Sequence, residues 1–454
     1  MAGGKKIASG HLMTKVYGSR ADKEFALLES ACKTMSETPF FGIDDFGPVT
    51  LVQPSYVRDL CEEVRQAAAR GSAIYPLGGR TMLNFGLPPT KPGIAVDLTH
   101  LDQVLDFPAR DMTITVQAGI TIRRLQEITA AENLRLPIDV PLADRATLGG
   151  AIATNISGPR RYGFGTLRDY VIGISVINDE GQETKAGGRV VKNVAGYDLC
   201  KLHVGALGTL GVISQVTLKL KPLPEHQTLI DVRCEENLAT LLDRLHGTRT
   251  RPVVLTVVSP HGVNAVFPTG DGSGGTSSEG WLVVVGFEGN DETLEWQVNQ
   301  LQREAGEFGI PTSSHWPDEL GRHAWNALTD FPLSVPASIT FKANLLPSGT
   351  AASCERLASL DKRIAFHAHA GNGIIIGHLN PSMALEEAAP LIRQLLDAAT
   401  AQQGNLTLLR CPPAWKNHLP VWGNPRPDNW LMKAVKDKLD PRGLFNPGRF
   451  VAGI

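Results

Sequence analysis

Thr147-Leu148-Gly149-Gly150-Ala151-Ile152-Ala153-Thr154-Asn155-Ile156-Ser157-Gly158 is the stretch on which the reading of this chain turns. Three glycines leave the backbone bare enough for close approach or positive φ, and Thr147, Thr154, Asn155 and Ser157 add neutral hydrogen-bonding groups beside them. Taken alone, such a run reads equally well as a tight turn or as close helix–strand packing. It is not alone. Pro76-Leu77-Gly78-Gly79-Arg80-Thr81-Met82 follows a strand ending at Tyr75, and Gly205-Ala206-Leu207-Gly208-Thr209-Leu210-Gly211-Val212-Ile213 precedes another. Unobstructed backbone N–H groups in three neighbouring loops are what a pyrophosphate or an extended dinucleotide needs, with Arg80 or Arg161 as a positive donor.

The two commonest nucleotide signatures are missing: no G-x-x-x-x-G-K-[ST] occurs, and no G-x-G-x-x-G joins a strand to a helix. The 46 glycines among 454 residues exceed the usual share, and 42% hydrophobic with 20% charged residues is the composition of an ordinary globular protein. A formal charge of −2 gives no basic excess for nucleic acid. The six cysteines are scattered without a C-x-x-C pair, which argues against a zinc or iron–sulfur site held by this chain. No apolar run is long enough to span a membrane, so a reducing, cytoplasmic setting is expected.

Outward from the glycine loops, periodicity organises the rest. Residues 1–45 carry only a possible short helix near Phe25 to Cys32 and read as an extension. Val49 to Val52 reads as a strand, Ser55 as an N-cap, and Val57, Leu60, Cys61, Val64 and Ala68 as a helix face ended by Gly71. Helices mixed with hairpins up to Leu220 predict an α+β class. Lys221-Pro222-Leu223-Pro224 is the expected boundary, giving units at 46–224 and 225–420 and a C-terminal segment at 421–454. The second unit reads as two β-α-β-β-α repeats sharing one sheet, a ferredoxin-like pair. Thr269 to Thr276 reads as a flexible hairpin tip.

These motifs, with Tyr162-Gly163, Arg168-Asp169, Lys192 to Asp198 and the ending Asp440-Pro441-Arg442-Gly443-Leu444-Phe445-Asn446-Pro447-Gly448-Arg449, resemble the FAD-linked oxidase family of the vanillyl-alcohol-oxidase, or PCMH, type. Within it they look like the FAD-binding subunits of bacterial glycolate oxidases. The resemblance implies a two-lobed FAD-binding domain under an α+β cap. It further implies that Pro76, Gly78, Gly79, Arg80, Thr81 and Met82 wrap the FAD pyrophosphate. Thr147, Leu148, Gly149, Gly150, Thr154, Asn155, Ser157, Gly158, Arg161 and Gly163 would line the dinucleotide and flavin. Val212 and Ile213 would contact the adenosine half, and Asn446 would approach from the C-terminal segment. Some relatives bond the flavin covalently through a histidine in the first loop. This loop has none, so non-covalent FAD is expected, with Tyr197 and Lys201 fixing the flavin lobe.

The resemblance implies less about catalysis. Dehydrogenases of the family carry a pattern like H-x-G-D-G-N-x-H and a later E-H-G. Here His369 stands at the first histidine, Ile376 at the second, and Leu408 to Pro412 offers no Glu-His pair. No metal site is expected. The arginine that relatives place three residues after a tryptophan is Leu328, after Trp325. His369 and Lys342 remain the candidate catalytic residues, although strand histidines on a half-buried sheet and a solvent-facing lysine are the simpler readings. The implied function is an FAD-bearing redox or assembly subunit of an enzyme oxidising glycolate, a small 2-hydroxyacid, to glyoxylate. Its implied partners are a catalytic FAD subunit and an iron–sulfur subunit. A self-sufficient 2-hydroxyacid dehydrogenase and a non-redox scaffold are the alternatives.

Overall fold

A hairpin opens the described part of the chain: Phe40–Ile43 (β1) turns through Asp44 and Asp45, both at positive φ (52° and 61°), into Phe46–Val52 (β2). The computed structural model describes residues 40–188, 197–266, 280–312, 316 and 318–454. The expected helix near Phe25, the hairpin tip at Thr269 to Thr276 and the Lys192 to Gly196 motif lie outside the described residues. Ala73–Leu77 (β3) and Gly93–Asp97 (β4) extend the hairpin into a sheet of order β1-β2-β4-β3, with β4 parallel to β2 and β3. Between β2 and β3 runs the helix Val57–Arg70, which buries Leu60, Cys61, Val64 and Ala67. Gly71, at φ 64°, ends it by donating back to Ala67 and Ala68, as its left-handed position requires. Its N-cap is Tyr56, without a side-chain bond, and not Ser55.

Val104–Asp106 (β5), Thr113–Gln117 (β6), Val171–Ile177 (β8), Glu183–Gly187 (β9) and Val212–Lys219 (β10) form an antiparallel sheet of order β5-β6-β10-β8-β9. The helices Ile122–Ala130 and Leu148–Thr154 pack their apolar residues on it. Thr121 and Thr147 cap those two helices through their hydroxyls. Short strands Leu134–Arg135 (β7) and Lys221–Pro222 (β11) pair beside it.

The remaining strands make one antiparallel seven-stranded sheet, His226–Cys234 (β12), Trp281–Gly289 (β14), Val254–Val258 (β13), Ala365–His369 (β16), Ile374–His378 (β17), Thr340–Asn344 (β15) and Asn405–Arg410 (β18), in that spatial order. One face is covered by the helices Leu238–His246, Asp291–Gly306, Thr350–Leu360 and Leu385–Ala401 through a large apolar core. The opposite face meets the helix Asp318–Ser334 and, through Phe85 and Leu207, the glycine loops. The fold is α+β, and both faces of the large sheet are buried.

Candidate functional site

The first glycine loop leaves β3 at Leu77, and from Gly78 to Leu83 none of its backbone N–H groups donates to a protein acceptor among the described residues. Buried or half-buried N–H groups are almost always paired, so this loop presents a row of donors awaiting an acceptor. Arg80 sits at φ 58°. Its guanidinium turns away to Asp97 (2.6 Å) and lies over the Phe41 ring (4.5 Å), so the loop offers backbone and not side-chain charge.

Tight packing sets the loop against the second glycine segment. A Cβ on Gly78 would fall 2.0 Å from Thr147 Oγ1, and one on Gly79 would fall 1.6 Å from the Arg145 carbonyl oxygen. Gly149 is likewise required by Ala118, and Gly158 by Asp139. Gly150 differs. A Cβ there would meet only Thr147 Oγ1, at 3.1 Å, because Gly150 faces open space. The third segment closes the far end of the helix Leu148–Thr154: Gly205 N–H donates to Ile152 and Leu207 N–H to Ala153.

The C-terminal motif locks these loops together. Lys436 Nζ donates to the Thr209 carbonyl (2.7 Å), to Asp440 (2.5 Å) and to the Phe445 carbonyl (2.9 Å). Asn446 donates from Nδ2 to the Leu207 carbonyl, and Arg449 to those of Leu83 and Phe85. Nearby, Lys416, with its side chain 1% exposed, bonds Asp44 and the carbonyls of Asn84 and Gly86. Burial pushes the Lys416 ammonium down, and Asp44 opposes that shift.

The result is a cleft of about 110 Å³. Of the expected cofactor residues, Pro76, Gly78, Gly79, Arg80, Thr81, Met82, Thr147, Gly150, Thr154 and Asn446 line it. Leu148, Gly149, Asn155, Ser157, Gly158, Arg161, Gly163, Val212 and Ile213 are not in its wall. Leu148 and Val212 are buried in packing, and Gly163 is pressed on Val253. Val140, Pro141, Leu333 and Arg449 also line the cleft. Of these only Arg449 carried a sequence signal, through the terminal motif. Tyr197 is 93% exposed and Lys201 pairs with Asp198, so neither fixes this site. The free N–H row and the open face at Gly150 fit a dinucleotide, which would lie along residues 78–83 with its phosphates on backbone donors.

Because Arg80 turns away, Arg80→Gln should keep cofactor occupancy within about twofold while losing about 1 kcal/mol of stability from a half-exposed pair. Flavin content and urea unfolding of the same preparation measure both.

The other candidates lie on the large sheet. His367 and His369 alternate on β16 and are buried, with all four ring nitrogens unpartnered among the described residues. His378 on β17 is satisfied by Thr340 (3.0 Å) and the Phe331 carbonyl (2.9 Å). Phe331, from the helix Asp318–Ser334, packs on His367 (4.5 Å) and His378 (4.6 Å). Burial lowers the His369 imidazole to about 3, assisted by Arg161 and Lys342. Lys342 on β15 is half-buried, not the solvent-facing charge the alternation suggested; burial first and Arg161 second bring it down to about 8. Among the described residues, no three His, Cys, Asp or Glu side chains group as metal ligands. No helix among them is long and apolar enough to cross a membrane.

Comparison with known proteins agrees with this geometry. Residues 48–187 match the model of an FAD binding domain. D-2-hydroxyglutarate dehydrogenase of Xanthomonas citri pv. viticola is 26% identical over 437 residues, spanning 88% of this chain and 89% of that protein. Glycolate oxidase subunit GlcE of Escherichia coli K12 is 29% identical over 202 residues, 44% of this chain and 57% of that protein. Among solved structures, p-cresol methylhydroxylase with substrate bound superposes with a TM-score of 0.68 at 15% identity, covering 95% of this chain and 97% of that one. Residues 48–187, which carry the first two glycine segments, therefore match an FAD binding domain, and the chain has the fold of PCMH-type flavoproteins.

Proposed function

We propose that this chain oxidises, or helps to oxidise, a small 2-hydroxyacid with non-covalent FAD. Within that activity we assign it the role of a redox and assembly subunit of a glycolate oxidase, beside a catalytic flavoprotein and an iron–sulfur subunit. When bound, FAD supplies the two-electron acceptor; the protein positions and tunes it. Non-covalent binding is supported by the cleft wall, in which no histidine, cysteine or tyrosine occurs among the described residues.

The observation that carries the subunit role is the covered histidine face. Oxidising a hydroxyl releases its proton, which a positioned base must take. His369 is the side chain nearest to that task by motif, and it lies buried beside His367, with both imidazoles held neutral far below their ordinary range. Phe331 stacks on His367. The partial likeness to GlcE points the same way.

One observation favours a self-sufficient dehydrogenase instead. Among the described residues Lys342 has no hydrogen-bond or ion-pair partner, and burial first and Arg161 second bring its ammonium down to about 8; the likeness to a D-2-hydroxyglutarate dehydrogenase over 88% of the chain accompanies it. Anaerobic mixing of the purified yellow protein with glycolate separates the two. The expected result is an unbleached flavin, and bleaching that follows when the partner subunits are added. Full bleaching by glycolate or lactate without partners would sink the subunit role.

A further inference from the structure

Four successive carbonyls at the end of the first glycine loop, Leu83 to Gly86, face two buried cations. Lys416, which follows the turn Pro413–Trp415 beyond β18, donates to the carbonyls of Asn84 (2.5 Å) and Gly86 (2.7 Å). Arg449 donates to those of Leu83 (2.5 Å) and Phe85 (2.8 Å). Gly86 allows this alignment at φ 94°, where a Cβ would fall 2.5 Å from the Arg449 carbonyl oxygen. The two cations share one carboxylate: Asp44 Oδ2 lies 2.6 Å from Lys416 Nζ and 4.0 Å from Arg449 Nη2. No other carboxylate among the described residues pairs with either, so the cluster carries one positive charge in excess.

A charge buried in excess is costly unless something answers it. Here the backbone leads it toward the cleft. The peptide that offers Lys416 its Asn84 carbonyl donates at its other end, from the Phe85 N–H, to the Met82 carbonyl (3.0 Å). The peptide of that carbonyl ends in turn on the Leu83 N–H, which donates to nothing among the described residues, and Leu83 lines the cleft. Hydrogen bonds in series polarise one another, so a cation at the carbonyl end strengthens the last N–H as a donor. Such a donor favours an anionic acceptor.

We infer that Lys416 is a positioning residue of the cofactor site, whose charge reaches the pyrophosphate of bound FAD through the peptides Asn84–Phe85 and Met82–Leu83. This rests on the reading that FAD lies in the cleft. The relay supplies, at one remove, the positive charge that Arg80 withholds by turning to Asp97. Lys416 itself does not line the cleft, and it comes from the segment after the large sheet. Flavin retention therefore depends on a residue outside both the glycine loops and residues 48–187.

Dilution of the purified full-length holoprotein, followed by the rise in free-flavin fluorescence, gives the Kd for FAD in wild type and variants. Lys416→Met and Lys416→Gln should each raise it about tenfold. Glutamine keeps a neutral donor, so its loss reports the charge. Asp44→Asn breaks the same ion pair and leaves the lysine charge in place. It should lower the melting temperature by several degrees, as the lysine variants do, yet leave Kd unchanged or lower. A merely structural role would weaken FAD binding in all three alike. Folded lysine variants that bind FAD as wild type does, or an Asp44→Asn protein that loses as much affinity as Lys416→Met, would overturn the relay. Where neither lysine variant folds, Asp44→Asn decides: a raised Kd contradicts the relay, and an unchanged or lower one supports it. Folded wild-type protein that takes up no FAD would instead overturn the flavoprotein reading.

Discussion

Gly150→Val should give a folded protein that no longer holds flavin. The position lies inside the helix Leu148–Thr154, where valine is at least as favourable as glycine, so helix stability should stay level or rise by a few tenths of a kcal/mol. The one neighbour a Cβ meets is Thr147 Oγ1 at 3.1 Å, which must give by a few tenths of an ångström. The branched side chain then stands in the cleft itself. Overlap of this kind costs about 1–3 kcal/mol or more, which is a loss of affinity of about 5- to 150-fold or more. Absorbance of the purified protein near the two flavin bands, with circular dichroism as the folding control, measures it. Gly79→Ala is the contrast: its Cβ would be 1.6 Å from a backbone oxygen, so it should fail to fold and not fold without flavin. Undiminished flavin in Gly150→Val would remove the cofactor from the place assigned to it.

The second large effect is expected at Glu288 on β14. Its carboxylate, 4% exposed, accepts two bonds from Arg135 and one from Arg160 (2.7 Å). Arg160 also bonds Asp139 and Gln227 and lies 3.9 Å over the Trp325 ring. This buried network joins the large sheet to the loop that carries Val140 and Pro141 into the cleft wall. Glu288→Ala leaves two buried guanidiniums with one carboxylate between them, and should cost about 3–5 kcal/mol, read as a lower urea midpoint. Burial alone would raise the Glu288 carboxyl; the hydrogen bond from Arg135 and the charges of Arg160 and Arg135 outweigh it, and the net shift is downward. Its stabilisation is thus present above the ordinary glutamate range and is lost as pH falls through the lower folded value. The variant should lack that part of the acid dependence. An unchanged midpoint would mean that the network is not what joins the two parts.

Local signals were legible wherever one residue's own chemistry decides the outcome. Gly71 ends its helix as read, whereas Ser55, read as the N-cap of the same helix, yields that place to Tyr56. The order of the strands in the large sheet was not legible, because it depends on which apolar faces meet. The glycine loops were recognisable as loops, yet for different reasons than ligand approach: Gly78, Gly79, Gly149 and Gly158 are small because another segment presses on them. Gly150 alone of the five keeps its open face for the cleft. Arg80 looked like a phosphate ligand until Asp97 and Phe41 claimed its guanidinium, residues whose proximity no spacing reveals. Lys342 reads as a surface charge from its alternation with Phe341 and Ala343, but on β15 it is half-buried. Leu333, Val140 and Pro141 enter the cleft only through tertiary packing, and no motif marks them.

The central claim is that the cleft between residues 78–83 and 147–154 holds FAD through backbone donors and without a covalent bond. Acid precipitation of the purified protein, followed by quantifying flavin in supernatant and pellet, tests it most directly. The account predicts about one FAD per chain, all of it released to the supernatant. Flavin that stays with the pellet, or a folded colourless protein that takes up no FAD on reconstitution, would contradict it.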